Sequence, residues 1–173
     1  MKRILPLISL LVLATLAGYS QALTLYDGAE QLTNGQEVVV LEEPSVVQLV
    51  AHIAVKNTSD HDISVKVKAY ETDVIEGTMN MFCWANNCYP PGTAVSPKSD
   101  TLAPGEFNET GFSGDYVPNS ILGTSKVMYT FFDENSVNDS ASVVISFISG
   151  YAGLPDGLLE QITFSNPYPN PAD

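Results

Sequence analysis

Apolar and polar residues alternate along this chain with a period of two, in short runs broken roughly every ten residues by turn formers. One run places Ile63, Val65, Val67 and Ala69 on one face and Ser64, Lys66, Lys68 and Tyr70 on the other. Two later runs set Val127, Tyr129 and Phe131 together, and then Val143, Ile145 and Phe147. Successive side chains of a strand point to opposite faces, so each run has one face for a core and one for water, as in an antiparallel sheet. Weaker runs predict strands at residues 23–26, 37–41, 46–56, 101–103 and 108–117, with 72–81 leading into a cysteine-containing loop. Within 46–56, Val47, Leu49, Ala51, Ile53 and Val55 share the inward face and His52 the outward one. Turns are expected at Asp27-Gly28, Asn34-Gly35, the polar cluster 57–62, Pro104-Gly105 and Pro118-Asn119, with a bend at Gly77 and a loop over 133–139. About eight or nine such strands predict an all-β fold, an immunoglobulin-like antiparallel β-sandwich.

The two ends do not follow this pattern. Lys2 and Arg3 precede an apolar run over residues 4–17, and Ser20-Gln21-Ala22 supplies small residues at a cleavage site. That order is a secretory signal peptide over 1–22, too short to span a bilayer, so no membrane span is expected once it is removed. The sandwich is then assigned to 23–148, and 149–173 reads as a Gly/Pro linker and an extended, polyproline-like tail.

Charge narrows the partners. Without Lys2 and Arg3 the chain keeps five lysines against 20 acidic residues, a net charge of -15. Such a surface repels phosphate backbones and anionic lipid, which excludes nucleic acid as a partner. Export also sets the redox context, so Cys83 and Cys88 are expected to form a disulfide closing a small loop.

Three features bear on function. Trp84 and Tyr89 flank the cysteines, and rigid aromatics on a disulfide ring form a stacking platform for a glycan or a protein segment. The competing reading has Trp84 plugging the core. Asp133, Asn135 and Asp139 supply oxygen ligands that fit Ca²⁺, although Asp and Asn are also ordinary turn residues. For catalysis, no nucleophile–base motif occurs; His52 sits on a sheet face and His61 in a polar loop, so no enzyme and no other cofactor is expected. Asn57, Asn108 and Asn138 head glycosylation sequons that matter only in a eukaryotic secretory route.

The tail carries one resemblance. Pro167-Tyr168-Pro169-Asn170-Pro171-Ala172 resembles the opening motif of the C-terminal sorting domain of type IX secretion substrates in the Bacteroidota. A complete sorting domain is several tens of residues longer, so the expectation is a fragment ending at Asp173. Val55-Lys56-Asn57-Thr58-Ser59, Phe82-Cys83-Trp84, Cys88-Tyr89 and Tyr129-Thr130-Phe131-Phe132-Asp133 are similar to a secreted module of that phylum with no assigned activity. The resemblance implies export by Sec and then the type IX machinery, and a secreted or outer-membrane-surface location. Two functions remain: an adhesive or ligand-binding module, or a structural spacer in a larger assembly.

Overall fold

The structure, a computed structural model, describes residues 21–150. Most of the expected leader and the Tyr168-Pro169-Asn170-Pro171 motif lie outside the described residues. Thirteen strands run in chain order: β1 (Leu23–Asp27), β2 (Glu30–Gln31), β3 (Gln36–Glu42), β4 (Leu49–His52), β5 (Ala54–Asn57), β6 (Ile63–Asp73), β7 (Met79–Trp84), β8 (Asn87–Tyr89), β9 (Asp100–Leu102), β10 (Phe107–Asn108), β11 (Ser113–Val117), β12 (Gly123–Asp133) and β13 (Ser136–Ser149). They form an all-β, sandwich-like domain of three sheets ordered β10-β5-β1-β2, β4-β11-β7-β8 and β3-β13-β12-β6-β9. Among the described residues, no helix is long and apolar enough to cross a membrane.

The strongest alternations became the centre of the core. Val65, Val67, Val127, Tyr129, Phe131, Val143, Ile145 and Phe147 are all fully buried. They face aromatic side chains of the opposite layer: Phe131 meets Trp84 at 5.6 Å and Phe112 at 5.0 Å between ring centroids, and Phe147 stacks on Tyr116 at 5.1 Å. Large rings buried in offset and edge-on pairs contribute about 0.5–1.5 kcal/mol each beyond their area. Gly114 permits the close approach of the two layers, since a Cβ there would meet the Tyr129 ring at 3.2 Å. Burial drives the Tyr129 hydroxyl well above the usual phenol range, and the group stays neutral while donating to Asn80 Oδ1.

Four expectations need correction. The predicted strand 46–56 is two strands, because the chain changes sheets at Ile53: β4 pairs with β11, and β5 with β1 and β10. Val47 is not inward but 83% exposed, since the chain is still leaving a turn at that point, with Val46 N–H bonded to the Glu43 carbonyl. The sandwich is not wholly antiparallel, for β3 runs parallel to β13 from Gln36↔Val143 to Glu42↔Ser149. Alternation sets which face a strand buries; it is silent on direction, and β3 reaches β13 from a distant part of the chain. Finally, the expected loop 133–139 contracts to Glu134-Asn135, with β13 already under way at Ser136.

Candidate functional site

Residues 83–88 form a tight hairpin rather than an open loop. Ala85 and Asn86 take φ of 52° and 58°, the left-handed pair a two-residue turn needs, and Cys83 falls opposite Cys88. The disulfide is formed, and no cysteine is free. Alternation then decides the rest. Phe82 and Trp84 point inward with Tyr89, and the cystine points outward. Trp84 is fully buried and its Nε1–H donates to the Val65 carbonyl at 2.9 Å; Tyr89 is 9% exposed and packs on Phe82. The stacking platform expected from Trp84 and Tyr89 is therefore not on the surface, because both rings fill the core.

On the outward side, Cys83, Cys88, Met81 and Gln48 surround Asp115. This carboxylate is 8% exposed and accepts hydrogen bonds from Gln48 Nε2 at 2.7 Å and Ser113 Oγ at 3.0 Å. A ring this small removes little entropy from the unfolded chain. Replacing Cys83 and Cys88 together by serine is expected to cost ~2 kcal/mol and leave the domain folded, read from the shift in a urea midpoint at unchanged slope.

The acidic turn is occupied by the protein's own donors. Asp133 Oδ1 accepts from the Asn135 N–H at 3.0 Å, and Asp139 Oδ1 accepts from the Ala22 N–H at 3.0 Å. Among the described residues no group of three or more His, Cys, Asp or Glu side chains gathers as a metal site. His52 is exposed on β4, and the His61 imidazole meets only Asp60, at 3.1 Å, among the described residues, on an exposed turn. Of the sequon asparagines, Asn57 is fully buried with its amide donating to two carbonyls, which leaves it no role as a glycan acceptor.

A feature that alternation alone treated as plain solvent face lies on the outside of the five-stranded sheet. Tyr70, Met128 and Phe132, with Lys68 and Thr130 between them and Val137 closing one side, line a groove of about 520 Å³. Register puts them side by side: Lys68 opposite Thr130, Tyr70 opposite Met128. Tyr70 is 57% and Val137 65% exposed, and Val39 and Leu41 extend the apolar surface on β3. Three of the five lysines outside the leader project from this face. Lys66 pairs with Glu134 at 3.0 Å and Lys126 with Glu37 at 2.9 Å, whereas Lys68 has no carboxylate within 4.0 Å among the described residues. The Ser146 hydroxyl first, and then Lys126, hold the Glu37 carboxyl below its ordinary range, and Lys66 does the same for Glu134, so both carboxylates stay ionised at neutral pH. The outward residues of β6 and β12 follow from alternation, whereas Val137 fell in the expected loop 133–139; the site is made by their convergence from β6, β12 and the start of β13.

Comparison with known proteins bears on the fold. No protein-family profile matches the chain, and neither does any curated protein. Among solved structures, the N-terminal domain of PorA is similar over 75% of this chain and 99% of its own, with 20% identity and a TM-score of 0.61. The PapD-like domain 7 of human CEP192 aligns over 86% of this chain and 99% of its own, with 13% identity and a TM-score of 0.45. The chain thus shares its β-sandwich-like fold with the N-terminal domain of PorA, and the likeness is one of fold alone.

Proposed function

We propose that this chain is an exported, non-catalytic module of immunoglobulin-like type that binds protein partners through the outer face of its five-stranded sheet. The observation that carries the reading is the setting of Lys68: an ammonium without a carboxylate partner among the described residues, in a groove walled by Tyr70, Met128, Phe132 and Val137. Apolar walls lower the local dielectric, so a carboxylate arriving there gains more than it would on open surface. The occupant that fits is an extended polypeptide segment with an acidic side chain between apolar ones. A neutral glycan would leave the Lys68 charge unpaired and find only Lys68, Thr130 and the Tyr70 hydroxyl as directional side-chain polar groups. Export and a surface location are supported by the leader pattern, and delivery by type IX secretion is supported by the Tyr168-Pro169-Asn170-Pro171-Ala172 motif.

The spacer reading has one observation in its favour, the burial of Trp84, which removes the aromatic platform from the surface. Random-peptide display separates the two. Panning against the leaderless chain, with counter-selection on Lys68→Glu, is expected to enrich peptides that place Asp or Glu between apolar residues. No enrichment, or enrichment indifferent to Lys68, returns the spacer.

A further inference from the structure

The sequence set the end of the leader after Ala22, yet the structure builds Gln21 and Ala22 into the fold. Ala22 is 6% exposed and belongs to the core. Its N–H donates to Asp139 Oδ1 at 3.0 Å, and its carbonyl accepts from the Thr58 N–H at 2.7 Å and the Thr58 hydroxyl at 3.0 Å. The Gln21 carbonyl also lies 3.0 Å from the Thr58 hydroxyl, and the Gln21 side-chain amide donates to the Ser140 carbonyl. These bonds tie the start of β1 to the end of β5 and to β13, both far away in the chain.

We propose that processing occurs instead between Ser20 and Gln21, so that the mature chain begins at Gln21; this rests on the reading of the first residues as an export leader. The sequence rule is degenerate here. Gly18 and Ser20 flank Tyr19 with small residues, as Ser20 and Ala22 flank Gln21, and a leader peptidase needs only that small-x-small pattern. The structure breaks the tie. Hydrolysis after Ala22 would delete every bond above and strand the Thr58 N–H. It would also put a charged α-ammonium on Leu23, which is fully buried and paired with Asn57. Hydrolysis of the Ser20–Gln21 amide delivers water's hydroxyl to the Ser20 carbonyl and its proton to the Gln21 nitrogen. The new ammonium then sits on a half-exposed residue. Asp139, a calcium ligand on the sequence reading, becomes the anchor of the mature N-terminal segment.

The test is the intact mass of the chain exported with its own leader from a Gram-negative host. A start at Gln21 is expected, as glutamine or lighter by one ammonia after ring closure. A start at Leu23 overturns the proposal while leaving the leader reading intact, and an uncut Met1 overturns both. Independently of any peptidase, chain 21–173 is expected to melt several degrees above chain 23–173, with Asp139→Ala in chain 21–173 reproducing part of that loss. Equal melting of the two chains overturns the anchoring role.

Discussion

Trp84→Ala is expected to cost about 3–5 kcal/mol, a large part of the roughly 5–15 kcal/mol that holds a single domain folded. The indole is among the largest fully buried side chains, and it packs edge-on against Phe131 at the contact between the two layers. Its removal leaves a cavity between strands that are each pinned by their own ladders and cannot close over it. It also strips the Val65 carbonyl of its Nε1–H donor, which adds about 1 kcal/mol. Trp84→Phe keeps most of the volume and loses the hydrogen bond, so a loss of about 1–2 kcal/mol is expected. Urea titration followed by far-ultraviolet circular dichroism checks both. In the parent, the single tryptophan serves as its own reporter, with blue-shifted emission that moves red on unfolding.

The second large effect falls on Asn57. Its side chain is fully buried and makes four hydrogen bonds: Nδ2 to the carbonyls of His61 at 2.8 Å and Leu102 at 2.9 Å, and Oδ1 from the Ser59 N–H at 2.9 Å and hydroxyl at 2.7 Å. One amide thus folds the 57–62 turn back on itself and fastens it to β9. Asn57→Ala leaves buried donors and acceptors unmatched and is expected to cost about 2–4 kcal/mol. Asn57→Asp is expected to cost at least as much, because it points a carboxylate oxygen at two carbonyls that had received N–H donors. If Asp were instead tolerated better than Ala, the donor role assigned to Nδ2 would be wrong. Thermal melts of the two variants, side by side, decide it.

The contrast between these two residues shows how far a sequence reading reaches. The inward sets of β6, β12 and β13 follow directly from alternation, and all are buried as that pattern requires except Ala69, which is only partly buried towards the end of β6. Trp84 was also legible, since Phe82 and Trp84 alternate with Cys83 and so share the inward face, whereas the clustering of rare residues in this stretch says nothing of which way they point. Asn57 was not legible. Its environment is made by β9 and the 57–62 turn together, and the residue types Asn, Ser and His there signal only a turn. The sheet change at Ile53 and the parallel pairing of β3 lie beyond alternation for a similar reason. Both depend on which distant strand offers an unpaired edge. The groove at Lys68 is intermediate: outward apolar residues such as Met128 and Phe132 were visible one by one, but their clustering with Tyr70 and Val137 depends on register between β6 and β12 and on the tight Glu134-Asn135 turn.

Binding at that groove is best tested by a charge swap. A display-selected peptide with a central Asp is titrated into the leaderless chain and into Lys68→Glu, and the same peptide with Lys in place of Asp is titrated into both. The expected result is about tenfold or greater weakening when either charge is reversed, with affinity recovered when both are. Melting temperatures equal to that of the parent show that Lys68→Glu leaves the fold intact. Affinity that ignores the swap, in a variant as stable as the parent, would contradict a docking site at Lys68.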